Sequence, residues 1–107
     1  AYSDRNTKER GNSMQATTSI ATSNGSRYMQ QLCKHFAHKI ETSFTPEQGL
    51  CRFEFCEARM TADGVGLAIT VVGDNAEAVD RGKAVIWSHL ERFAFREDLH
   101  EPVWTAA

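Results

Sequence analysis

At 107 residues the chain has room for one hydrophobic core, and its 41% apolar and 24% charged content are ordinary for a globular domain. A formal net charge of −2 with interspersed signs offers no global attraction to nucleic acid or to anionic lipid. No apolar run approaches the roughly 20 residues that a membrane-spanning helix needs.

Residues 1–13 (AYSDRNTKERGNS) carry too little apolar surface to offset their ordering entropy, and they read as a flexible leader. They also lack the apolar stretch of a secretory signal. Residues 14–107 read as a single domain. From Met14 to Thr22 the sequence alternates, with Met14, Ala16, Thr18 and Ile20 on one side, as a first strand does. Asn24-Gly25-Ser26 supplies turn and cap chemistry for a helix over 27–40, whose stripe is Met29, Leu32, Cys33, Phe36 and Ile40 with Tyr28 at its border.

Thr45 to Gly49 is expected to be a loop, and Leu50 to Cys56 a half-buried strand that alternates Cys51, Phe53 and Phe55 against Arg52 and Glu54. Ala58 to Ala62 follows as a short strand, with Asp63-Gly64 as a hairpin turn. Leu67 to Val72 is apolar or Thr on both faces and is expected to be central. Asp74 and Glu77 form a capping-box pattern for a second helix reaching about Phe95, with Val79, Gly82, Ile86, Leu90 and Phe93 inward. After Pro102, Val103-Trp104-Thr105 reads as a last strand. The order β-α-β-β-β-α-β implies a two-layer α+β sandwich, with two helices on one face of a mainly antiparallel sheet.

Arg27-Tyr28, the run Gln31-Leu32-Cys33-Lys34-His35-Phe36-Ala37-His38-Lys39, the run His89-Leu90-Glu91-Arg92-Phe93-Ala94-Phe95-Arg96-Glu97, and Trp104 resemble the bacterial domain of unknown function 2218, over roughly residues 14–105. The resemblance implies a small bacterial α+β domain without an assigned activity. It also implies an association with iron handling, since relatives are attached to or encoded beside siderophore-interacting flavin reductases.

Candidate chemistry concentrates on the two helices. Cys33 and His35 lie roughly 160° apart on a helix, so one ion cannot take both, whereas His35 and His38 are i, i+3 neighbours. A zinc site usually needs four ligands, and cations near a helix C-terminus also complement its dipole, so no metal site is assigned. Lys39 borders the stripe, where its stem can lie on the core while its amine reaches water. On the second helix, His89, Arg92 and Arg96 fall within roughly 60°. Arg92 and Arg96 repel at i, i+4 unless an anion, or Glu97, Asp98 or Glu101, relieves them. Trp87 is expected to face away from the stripe, where an exposed indole would mark a partner surface. The three cysteines, Cys33, Cys51 and Cys56, have no CxxC spacing and read as reduced thiols of a cytoplasmic chain, with Cys33 as a core residue.

There is no GxGxxG, Walker A, HExxH or GxSxG motif, and no cofactor is expected. The leading expectation is a non-enzymatic binding or accessory module for a small anionic ligand, bound by His35, His38, Lys39, His89, Arg92 and Arg96. Neither nucleic acid nor membrane is an expected partner. The competing class is a metal-dependent or acid/base enzyme using His35, His38 and His89, and the third is a structural subunit or homodimer joined through helix or strand edges.

Overall fold

Alternation makes most of the strands here, and their register brings the apolar positions onto one side. The computed structural model describes residues 13–106, so of the expected leader only Ser13 falls within it. Six strands, β1 (Met14–Ala21), β2 (Glu41–Phe44), β3 (Gln48–Arg52), β4 (Cys56–Ala62), β5 (Gly66–Gly73) and β6 (Thr105–Ala106), form one sheet in the order β2-β3-β4-β5-β1-β6. Every pairing is antiparallel. Ala16, Thr18 and Ile20 of β1, Cys51 of β3, Ala58 and Met60 of β4, and Leu67, Ile69 and Val71 of β5 are buried beneath two helices. These are α1 (Gly25–Phe36) and α2 (Ala76–Phe93). The architecture is the expected α+β sandwich, with β5 inside the sheet as its two apolar faces imply. Among the described residues no helix is long and apolar enough to cross a membrane.

The helices bury the stripes their periodicity dictates: Tyr28, Met29, Leu32, Cys33 and Phe36 on α1, and Val79, Gly82, Ile86 and Leu90 on α2. Each large apolar side chain removed from water contributes about 1.5–3 kcal/mol before entropy is counted. Gly82 lets α2 press onto the sheet, because a Cβ there would lie 2.7 Å from both Cys56 Sγ and Val71 Cγ1. Tyr28 meets Glu97 beyond the end of α2, and His35 meets His89, so α1 runs antiparallel to the C-terminal half of α2.

Several boundaries differ from the sequence expectation. α1 ends at Phe36 rather than Ile40, placing His38 and Lys39 in the turn that follows. The cause is an additional strand, β2, which pairs Glu41 with Arg52 and Phe44 with Gly49. Nothing in Glu41-Thr42-Ser43-Phe44 alternates in hydrophobicity, so this strand exists through its partner. The expected loop shrinks to a tight turn in which Thr45 Oγ1 accepts from the Glu47 and Gln48 amides.

The single strand expected over 50–56 is instead broken by a bend between β3 and β4, because Arg52 pairs with Glu57. Phe53 and Phe55 bring their rings to 5.5 Å from each other, and Phe53 packs edge-on to Phe36 at 4.9 Å. The cap of α2 is Asn75 rather than Asp74; its Oδ1 accepts from the Ala78 amide at 2.8 Å. Trp87 is half-buried against the core and not the exposed indole expected, whereas Met14, expected inward, is exposed. The last strand shortens to Thr105–Ala106, and Thr18 Oγ1 donates to the Val103 carbonyl at 2.8 Å.

Candidate functional site

His35 occupies the last turn of α1, directly before the buried Phe36. His89 borders the buried face of α2, one residue before Leu90. Antiparallel packing brings their rings to 4.7 Å between centroids. Phe36 lies edge-on to both imidazoles, at 5.1 Å from His35 and 4.8 Å from His89, and the Phe93 ring stands 6.0 Å from His35. Two histidines from distant parts of the chain thus share an aromatic wall.

The His89 ring is held by its own helix. Its Nδ1 lies 2.8 Å from the Val85 carbonyl, which can only accept, so the proton is on Nδ1 and Nε2 is left for another partner. Ser88 Oγ donates to the same carbonyl at 3.1 Å. Among the described residues His35 has no such anchor. Partial desolvation, reinforced by the neighbouring basic groups of His89, His38, Lys39 and Arg92, lowers the pKa of its imidazole below the ordinary value.

Five of the six candidate residues therefore share one electrostatic neighbourhood, with His38, Lys39, His89 and Arg92 all acting on His35. Among the described residues none of His35, His38, Lys39 and Arg92 has an ion-pair partner. Arg96 is set apart. Helix α2 ends at Phe93, so the helical i, i+4 spacing from Arg92 is not kept, and the Arg96 guanidinium lies over its neighbour Phe95 at 5.3 Å.

The carboxylates expected to relieve the arginines do not. Glu97 is engaged elsewhere: Thr22 Oγ1 donates to its Oε1 at 2.7 Å, and Asn24 Nδ2 donates to Oε2 at 2.6 Å together with the Tyr28 hydroxyl. These donors hold the Glu97 pKa below the usual carboxylate value, the Tyr28 hydroxyl first among them. This clasp joins the end of β1, the start of α1 and the exit of α2, and sequence pattern alone carries no signal for it.

Among the described residues, no group of three or more His, Cys, Asp or Glu side chains is arranged to hold a metal ion. His38, the third imidazole of the enzyme reading, acts on His35 as a neighbouring charge. The cationic cluster is a surface patch, with His35, His38, Lys39 and Arg92 all exposed. A hollow of about 580 Å³ lies on another flank of α1, lined by Asn24, Ser26, Arg27, Gln30, Gln31 and Lys34 among others. Neither His35 nor His89 borders it.

Residues 17–105 match the family described as an uncharacterized protein conserved in bacteria (DUF2218). Among solved structures, the chain is similar to the NMR structure of PA4090 from Pseudomonas aeruginosa, with a TM-score of 0.71 and 23% identity, over 88% of this chain and 95% of that one. At that identity the likeness speaks to the fold alone. No curated protein matches.

Proposed function

The chain belongs to the bacterial DUF2218 family, whose description assigns no activity, and from its own side chains we propose a non-enzymatic binding module for a small anionic ligand. One observation carries this reading: the imidazoles of His35 and His89 lie 4.7 Å apart within the field of His38, Lys39 and Arg92, with no carboxylate partner among the described residues. Clustered like charges are unfavourable until an anion lies between them. The C-terminus of α1 offsets part of that repulsion through its dipole, and a carboxylate or phosphate would offset more. The Nε2 of His89, once protonated, and the Arg92 guanidinium are both donors for such oxygens.

The iron association implied by the family resemblance makes citrate, a tricarboxylate chelator, the first probe, with inorganic phosphate as the second. Titration followed by NMR should shift the ring signals of His35 and His89. Arg92→Glu should weaken citrate binding about tenfold or more while leaving the fold intact, since a charge-assisted hydrogen bond is worth about 1.5–3 kcal/mol. Unchanged binding by that variant, shifts confined to the hollow beside Arg27 and Lys34, or no response to either anion would each reject the reading.

A further inference from the structure

The α1–β3 contact holds two thiols together. Cys33 of α1 and Cys51 of β3 are both fully buried, and their Sγ atoms are 3.8 Å apart. Gly49 makes this approach feasible, because a Cβ there would come within 2.9 Å of Met29 Cγ and 3.1 Å of Cys33 Sγ. We propose that Cys33 and Cys51 form an oxidation site, closing to an intramolecular disulfide when the protein meets a small hydroperoxide. A disulfide needs about 2.05 Å between sulfurs, so closure requires the two sulfurs to approach by about 1.8 Å from this separation.

The two thiols are not equivalent. The hydrogen bond shared by the two sulfurs favours ionisation of Cys33, whereas that bond and burial push the Cys51 thiol up. Cys33, whose Sγ lies toward the Ser43 carbonyl of the edge strand β2, is assigned as the nucleophile and Cys51 as the resolving thiol. The Cys33 thiolate attacks one peroxide oxygen; an S–O bond forms, the O–O bond breaks, and hydroxide leaves, taking up the proton that Cys33 released to become water. Cys51 sulfur then attacks Cys33 sulfur, the S–O bond breaks, and the departing hydroxide leaves with the Cys51 proton as a second water. Two thiols lose two electrons, and one molecule of hydrogen peroxide is reduced.

Access comes from the sheet edge. Cys33 Sγ lies 4.0 Å from the Ser43 carbonyl of β2, a four-residue strand that among the described residues pairs on one side only. Short edge strands open locally at low cost, which admits a molecule as small as hydrogen peroxide. Cys56 provides an internal control: it lies under Gly82 of α2, and burial pushes its thiol up to about 11.

The test treats the folded full chain with hydrogen peroxide, alkylates the remaining thiols in denaturant and maps the peptides. The expected result is joint loss of two alkylatable thiols, a Cys33–Cys51 cross-linked peptide, alkylated Cys56, and full recovery with dithiothreitol. Cys56→Ser should behave like the parent chain, and Cys51→Ser should stop at a sulfenic acid on Cys33 that dimedone traps. A pair containing Cys56, a cross-linked dimer, separate over-oxidation of single cysteines, or three intact thiols would each overturn the proposal. The map of the parent chain decides the matter even if a variant fails to fold.

Discussion

His35 is the residue whose chemistry depends most on its neighbours. Its pKa is lowered by desolvation and by four surrounding basic groups, so at a given pH it is less protonated than an isolated imidazole. The unfolded chain then binds more protons than the folded one between the two pKa values. Stability should fall as pH drops below the unfolded value toward the lowered folded one. His35→Gln should flatten that slope, as read from thermal midpoints across the acid range; an unchanged slope would mean that His35 does not feel the cluster. An anion bound at the patch raises the pKa again, so binding should be accompanied by proton uptake.

At the scale of elements, capping and pairing decide where helices and strands begin. Asn75, not Asp74, accepts the Ala78 amide, although the capping-box pattern of Asp74 and Glu77 fits the sequence equally well. Asn75→Ala should therefore cost about 1 kcal/mol in denaturant unfolding, whereas Asp74→Ala should cost little. The reverse ranking would show that the acidic residue caps the helix. The one-residue offset reflects backbone geometry, since Asn75 adopts the extended conformation that a cap requires. In the same way, α1 stops at Phe36 although Ala37 to Ile40 could continue its period, because the chain must turn there for Glu41–Phe44 to pair with β3.

For the whole molecule, Glu97 ties together segments that the sheet alone leaves separate. Thr22, Asn24 and Tyr28, between 69 and 75 residues away along the chain, all donate to its carboxylate. Because its folded pKa is lowered, its contribution is present above the unfolded value and is lost as pH falls through the folded one. Glu97→Gln should speed hydrogen exchange in the turn after α2 and at the start of α1, while β4 and β5 remain protected. Uniform acceleration across the sheet would show instead that the clasp supports global stability.

Periodicity and alternation in the sequence determined both helices, the central strand, the Asp63-Gly64 hairpin and the two-layer class, because those features follow from which side chains avoid water locally. The helical histidines and arginines were legible as candidates for the same reason. Only the tertiary structure decided that β2 exists, that Arg96 leaves the cluster, that Glu97 is engaged by Tyr28, and that Cys33 meets Cys51. Each depends on partners distant along the chain, and a one-dimensional pattern contains no record of which distant residues the folded backbone will bring together.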